Sequence, residues 1–373
     1  MRELPKPEFV KIDPAAIEAE LIARYEQESG KSLFPAQIER LFINQVAYSE
    51  VRIKAAIQNA GEKLLVRFSS GPILDYLGDL VGTPRLLAVG AVCGLEFMVT
   101  GPGPQDRLIP AGTRVTSQNG AVAFLTRQEA TLKAGTMTVQ VRALCEAVGV
   151  IGNGWAIGQI NTLVGPPFVG LSVSNVTVPA DGFEDESDER YIERIILAPE
   201  AYTTAGSRGA YRYHALSVHQ SIIEVAVRGP DDGTPDGEVW IYPLTETGMP
   251  TANLLEQVEN RLSGEKLRPL CDTVKALMPV RVEWAIKSRI TLYPWADREP
   301  VMAAVRKAAD AYAQELRVGL GIDIVPEQLN ARLQVAGVYR SVLEQPAAPL
   351  ELQRHNWADC TGIDILYAGT ADG

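Results

Sequence analysis

Three histidines, four cysteines and one carboxylate-rich segment are the places where this chain of 373 residues could do chemistry. His214 and His219 are five apart, which on a helix does not set two rings on one face as a spacing of three or four would. His355 stands in the polar run Gln353-Arg354-His355-Asn356. None has the paired spacing that zinc sites use. Cys93, Cys145, Cys271 and Cys360 lie far apart without a Cys-x-x-Cys pair. They are expected to be reduced, mostly buried thiols rather than a zinc knuckle or a disulfide framework. The acids of Asp181 to Arg194 (Asp-Gly-Phe-Glu-Asp-Glu-Ser-Asp-Glu-Arg-Tyr-Ile-Glu-Arg) precede apolar positions Tyr191, Ile192, Ile195 and Ile196. Carboxylates there can satisfy a helix's free amides and its positive dipole end, so a well-capped helix is the expectation. A metal or catalytic cluster is the alternative.

The remaining motifs are weak. Asp231, Asp232 and Asp236 lie among glycines and prolines, where turn chemistry explains them better than a calcium loop. Ser263-Gly-Glu-Lys266 fits a Ser-x-x-Lys pattern but has no companion motif. Gly152-x-Gly154-x-x-x-Gly158 misses the dinucleotide pattern by one residue, and no phosphate-cradling loop exists. Asn175-Val-Thr177 fits a glycosylation sequon, which matters only in a secreted chain. No catalytic, metal-binding or cofactor-binding residue is expected. A dispersed carboxylate pair, as in a glycan hydrolase, is the enzymatic alternative that spacing alone does not reveal.

Composition narrows the partners. The chain has 46% apolar and 22% charged residues, ordinary for a globular protein, and its length suggests two or three domains. With 35 basic and 46 acidic side chains the formal charge is −11, which repels a phosphate backbone and argues against nucleic acid. No apolar run approaches the roughly 20 residues of a membrane span. The start, Met1-Arg2-Glu3-Leu4-Pro5-Lys6-Pro7, lacks the apolar core of a signal peptide, so folding in the cytoplasm is expected.

The elements follow from periodicity. Pro14 suits a first helical turn, and Ile17, Leu21 and Tyr25 recur before Gly30 stops that helix. A second helix is expected from near Pro35, with Ile38, Leu41, Phe42, Val46, Ile53, Ile57 and Ala60 in one stripe and Gly61 at its end. A third runs through Ile73, Leu74, Tyr76, Leu77 and Leu80. From Leu86 to Val178 the period changes to two, with Asn119-Gly120 as a hairpin turn, predicting an antiparallel β-domain. Beyond the acidic segment, strands and helices interleave. The predicted fold class is α+β multidomain: an N-terminal helical hairpin, an antiparallel β-domain, then α+β domains with helices packed on mixed sheets. The expected boundaries are 1–85 helical, 86–180 β-rich, 181–220 junction helices, 221–295 α+β and 296–373 C-terminal α+β.

Several blocks, in order, make the chain resemble the baseplate J-like family. These are Leu74-Asp75-Tyr76-Leu77-Gly78 with Pro84-Arg85, Ile109-Pro110-Ala111-Gly112-Thr113-Arg114-Val115, and Ala123-Phe124-Leu125-Thr126. Val148-Gly149, Gly152-Asn153, Asn175 and Gly182-Phe183-Glu184-Asp185-Glu186-Ser187 continue the likeness. Leu329-Asn330-Ala331-Arg332-Leu333-Gln334, Ala336-Gly337-Val338-Tyr339 and Asn356-Trp357-Ala358 complete it. The resemblance implies a non-enzymatic wedge subunit of a contractile tail or related injection system, assembled in the host cytoplasm and retained in the baseplate of the virion tail. It implies as partners a second copy of the chain, a smaller wedge protein, the sheath-starter protein, the central hub and the fibre proteins. It also implies rearrangement when the sheath contracts.

The residues fit that role as inter-chain surface and pivots. Ile17, Leu21, Tyr25, Ile38, Leu41, Phe42, Val46, Ile53 and Ile57 form a candidate helix stripe for other chains, with burial inside this chain as the competing expectation. Gly182, Gly206 and Gly209 are candidate hinges. A glycan hydrolase would instead need a cleft with two carboxylates about 5 to 10 Å apart. A regulatory binding module would behave as a monomer.

Overall fold

A computed structural model describes residues 4–202, 206–264, 267, 269 and 271–372. Glu265 and Lys266 of the Ser-x-x-Lys match lie outside these residues. The chain divides into two compact units, Met1–Arg85 with Ser187–Ile196, and Leu86–Glu186 with Leu197–Gly373.

The first unit is helical. Helix α1 spans Pro14–Ser29: Asp13 caps it by accepting from the Ala16 N–H, and Gly30 ends it at φ 68°. Helix α2 spans Ile38–Lys63, starting three residues after Pro35 because Phe34 to Gln37 form a turn closed by the Gln37 side chain. Gly61 does not end α2. A Cβ there would lie 2.7 Å from the Phe9 ring, so the glycine lets the N-terminal segment lie against the helix. Gln58 holds that segment by accepting from the Phe9 and Val10 N–H groups and donating to the Pro7 carbonyl. The helices fold back on each other, joined by Arg40–Glu18, and the loop between them is tied to α1 by Leu33 N–H on Glu26.

Helix α3, Gly71–Asp79, and helix α4, Asp188–Leu197, bring Leu74, Tyr191 and Ile195 into a small buried cluster. The Tyr191 hydroxyl donates to the Thr83 carbonyl at 2.6 Å. A Cβ on Gly78 would overlap that hydroxyl and lie 2.6 Å from the same carbonyl oxygen. Gly78→Ala is therefore expected to destabilise this unit by about 2–4 kcal/mol through overpacking and a lost buried hydrogen bond. Thermal unfolding of the variant checks this, and an unchanged midpoint would refute the packing.

The second unit opens with a β-barrel. It comprises β1 (Val92–Val99), β2 (Arg107–Ile109), β3 (Arg114–Ser117), β4 (Ala123–Thr126), β5 (Ala130–Leu132), β6 (Thr138–Cys145), β7 (Ile160–Val164) and β8 (Leu171–Asn175); β1 and β6 show the expected alternation, whereas β3 and β4 are buried at nearly every position. Six of them form an antiparallel sheet in the order β7-β3-β4-β6-β1-β8, filled by Leu95, Phe97, Val115, Phe124 and Ile160. The outer strands β7 and β8 approach each other, so the sheet nearly closes. Asn175, fully buried, ties that seam. Its Oδ1 accepts from the Ile160 N–H, its Nδ2 donates to the Ala156 and Thr177 carbonyls, and its own carbonyl accepts from Gly158.

The rest is α+β, as the interleaved periods predict. Helix α5 (Arg208–Leu216) and helix α6 (Ala252–Leu262) pack on a sheet of β9 (Ile222–Arg228), β10 (Glu238–Thr245) and β11 (Thr273–Ala276), around Ile222, Ile241, Leu254 and Val258. Strand β11 is too short for its period to stand out in the sequence. Strand β12 (Val280–Leu292) then lies between β13 (Val338–Gln345) and β14 (Asn356–Thr370), with α7 (Arg298–Arg317) and α8 (Pro326–Leu333) on one face. Two expected boundaries cut through cores. The division at 295/296 separates β12 from its own sheet, and the 181–220 segment splits, with most of α4 in the first unit and α5 in the core under β9 and β10. Local period identifies a strand but not the sheet it joins.

Candidate functional site

Helix α2 has two unlike faces. Ala47, 6% exposed, faces the hairpin, where Ile17 of α1 is 5% exposed and Leu21 and Tyr25 are half-buried. Of the nine stripe residues these three from α1 lie in the packed set. The six from α2 do not: Ile38, Leu41, Phe42, Val46, Ile53 and Ile57 are 51% to 70% exposed. They share one side of a 26-residue helix in two groups, Ile38 to Val46 and Ile53 to Ile57, with Ser49 and Glu50 between them. An exposed apolar stripe of this extent differs from the single apolar residues scattered over any protein surface. Phe34, Tyr48 and Leu64 also stand exposed on or beside this helix. Sequence periodicity missed Phe34 and Leu64 because they fall beyond the helix ends, while Tyr48, seven residues after Leu41, stands at the edge of the stripe without having been counted in it.

The acidic segment is built differently from expectation. Only Asp188 and Glu189 fall in the first turn of α4. Of the other carboxylates, three reach backbone N–H groups far away in sequence and Asp181 reaches side chains. Glu184 accepts from Val150, Asp185 from Ala88 at 2.8 Å, and Glu186, only 3% exposed, from Leu86. Asp181 sits at φ 66° and accepts from the Thr251 hydroxyl and the Asn253 amide, while its carbonyl meets His219 Nε2 at 3.2 Å. In the first unit Asp188 accepts from Gly71 N–H and Arg85. Burial alone would raise the Asp188 carboxyl, but these two donors outweigh it and hold it below the usual range. Extended chain with open N–H groups needs partners as much as a helix end does, and the acids supply them.

Neighbouring groups approach the backbone closely at all three candidate hinges. Asn153 grips Gly182 by both backbone groups, and a Cβ there would meet the Gly149 carbonyl at 2.5 Å. Gly206 has φ 66° beside Pro269, and a Cβ on Gly209, within α5, would overlap the Glu200 carboxylate. Close approach, rather than freedom, accounts for Gly182 and Gly209.

The potential chemistry is dispersed. His219 accepts from Ser221 N–H at Nδ1, leaving Nε2–H for the Asp181 carbonyl. His355 lies 4.9 Å from the Tyr242 ring, with Arg228 donating to its Nδ1. Among the described residues no three His, Cys, Asp or Glu side chains gather as a metal set. Burial, reinforced by Cys145, pushes the Cys93 thiol up to about 12, so it is no nucleophile at neutral pH. A groove of 690 Å³ holds Asp181 and Glu256, yet Asp181 is engaged as above and Glu256 pairs with Arg142 at 2.7 Å.

The histidines set a pH dependence. Burial first, then Arg261 for His214 and Arg228 for His355, lowers both rings below the ordinary value of 6.5. The unfolded chain then binds protons at a higher pH than the folded one, so this stability is full above about pH 6.5 and is lost as pH falls below it. Chemical denaturation should show a lower midpoint at about pH 5.5 than at about pH 7.5, and His214→Asn with His355→Gln should flatten the difference. An identical pH dependence in that double variant would overturn the assignment.

Comparison with known proteins adds the family. Residues 96–182, 203–278 and 284–366 match the Baseplate J-like protein barrel domain, the Baseplate J-like central domain and the Baseplate J-like protein C-terminal domain. The chain is 32% identical over 194 residues to Baseplate protein J of Escherichia phage P2, covering 52% of this chain and 63% of that one. It thus spans less than two thirds of that relative. It is 26% identical over 281 residues to Mu-like prophage FluMu protein gp47 of Haemophilus influenzae, covering 72% and 76%. A chain in the anti-feeding prophage baseplate, determined with 6-fold symmetry, aligns over 94% of this chain and 90% of its own at 13% identity, with a TM-score of 0.43.

Proposed function

The chain belongs to the baseplate J-like family, and from that membership we propose that it is a structural wedge subunit in the baseplate of a contractile tail. It is assembled in the host cytoplasm and links the central hub, the sheath-starter protein and the fibre apparatus. Its contacts rearrange when the sheath contracts. A second copy of the chain and a smaller wedge protein are its nearest partners.

The observation that carries this reading is the exposed strip of α2. A stripe left open along a long helix is satisfied by helices of other chains packing knobs into holes. Burying an aliphatic or aromatic side chain is worth about 1.5–3 kcal/mol, so six of them offer on the order of 10 kcal/mol before association costs. Residues 1–95, which contain α1 to α3, lie outside the three matched domains, so this part of the reading rests on the helix itself. Co-expression with the neighbouring tail proteins and native mass measurement tests it. Two copies with one smaller partner are expected; a chain that stays monomeric among its neighbours would refute the proposal.

A further inference from the structure

The rim of the barrel carries a groove unlike the rest of this charged surface. It has a volume of about 380 Å³ and is lined by Gln118, Asn119, Trp155, Gly158, Gln159 and Asn161. None of these is charged, although charged residues make up 22% of the chain. The groove is one indole surrounded by four carboxamides.

The tryptophan is held in place. Its Nε1–H donates to the Ile151 carbonyl at 3.2 Å, and the ring packs against the barrel core while also lining the groove. Both ends of the groove are braced by hydrogen bonds that occupy only part of each amide. Asn119 Oδ1 accepts from Ser117 Oγ and Ala121 N–H in the β3–β4 turn, and Gln159 Oε1 accepts from Ala156 N–H. Asn161 uses one donor on the Gly158 carbonyl and its oxygen on Thr162. Each carboxamide carries two N–H donors and an oxygen with two lone pairs, so donors remain on all three and Gln118 adds a fourth amide. The seam residue Gly158 places backbone at the floor, with its N–H on the Asn175 carbonyl.

We propose that this groove is a binding site for a neutral saccharide. A pyranose ring has an apolar C–H face that stacks on an aromatic ring and an equator of hydroxyls that are both donors and acceptors, and amides answer both kinds. The lack of charge disfavours phosphate, carboxylate and nucleotide ligands, which select arginine, lysine or a metal. A few positioned polar groups beside an aromatic wall is the usual make-up of a small-molecule site. The volume suits one or two sugar units. This inference is independent of the docking role of α2.

The test uses the full chain titrated with two neutral probes, N,N′,N″-triacetylchitotriose and maltotriose, and with 3′-sialyllactose as the anionic control. Binding is read by one-dimensional ¹⁹F spectra of 5-fluorotryptophan-labelled protein. Saturable shifts of the Trp155 resonance with a neutral probe, and a weaker response to the anionic one, are expected. Preference for the acetylated or the plain glucan then separates a cell-wall source from a storage or capsule-type one. Gln118→Ala and Asn161→Ala, both at exposed positions, should weaken binding by about threefold to tenfold each with unchanged thermal unfolding. Trp155→Ala, which removes the reporter and is therefore titrated by isothermal calorimetry beside the unaltered chain, should weaken binding by more than about tenfold. No saturable shift with either neutral probe, equal binding of the anionic sugar, or affinity indifferent to the two amide substitutions would overturn the proposal.

Discussion

Phe42→Asp combined with Ile53→Asp is expected to abolish capture of partner chains while leaving the protein's own unfolding midpoint nearly unchanged. The two side chains are 70% and 60% exposed, so the free chain loses little when they become polar. Surface changes of this kind usually stay within about 0.5 kcal/mol. In a helix bundle the same positions would be buried. Each substitution there forfeits about 1.5–3 kcal/mol of apolar burial and adds the cost of desolvating a carboxylate. Together they should weaken association by at least about a thousandfold, since about 4 kcal/mol corresponds to that factor. Ala47→Asp is the contrasting change: at 6% exposure it faces the hairpin, so it should unfold the α1–α2 pair itself. Pull-down and native mass of the co-expressed proteins read the first effect, and circular dichroism separates it from the second. A double aspartate variant that still assembles would show that the strip is not the docking surface.

Asn175→Ala should have the largest effect on stability of any single polar substitution in the barrel. The side chain has no exposed surface, and it makes three hydrogen bonds, to Ile160, Ala156 and Thr177. Its removal leaves two carbonyls and one N–H without that partner at the seam of β7 and β8. A buried group left unsatisfied costs about 1–3 kcal/mol, so a total of about 3–5 kcal/mol is expected after relaxation and water entry. Asn175→Asp should cost nearly as much, because a carboxylate can accept from Ile160 but cannot donate to the two carbonyls. The urea midpoint of each variant measures this. A loss below about 1 kcal/mol for both would mean that the seam is held mainly by packing of Ile160 and Val173.

The Asn175 clasp also shows where sequence reasoning stops. As Asn-Val-Thr it matched a glycosylation pattern without consequence, and as one residue of an ordered series it contributed to a family resemblance. Nothing local distinguishes an amide that ties two strands from one that faces water. The acids of Asp181 to Asp188 make the same point. Their number and position before an apolar helix predicted capping, and most of them instead satisfy backbone from residues about 34 to 100 positions away.

The amino-acid sequence by itself determined the elements: the α1 stop at Gly30, the Asn119-Gly120 hairpin, the alternation of β1 and β6, and the interleaved α+β layers behind them. Those depend on φ preferences, side-chain period and capping, which act over a few residues and leave a readable trace. It also determined the apolar stripe of α2 as a pattern. Only tertiary structure decided that Ile17 turns inward while Phe42 and Ile53 remain open, that β12 joins a sheet with β14 rather than β10, and that Gly61 admits a neighbour instead of ending its helix. Burial and close approach are sums over distant residues. A stripe states that a helix needs a partner, and the folded chain settles whether that partner is itself.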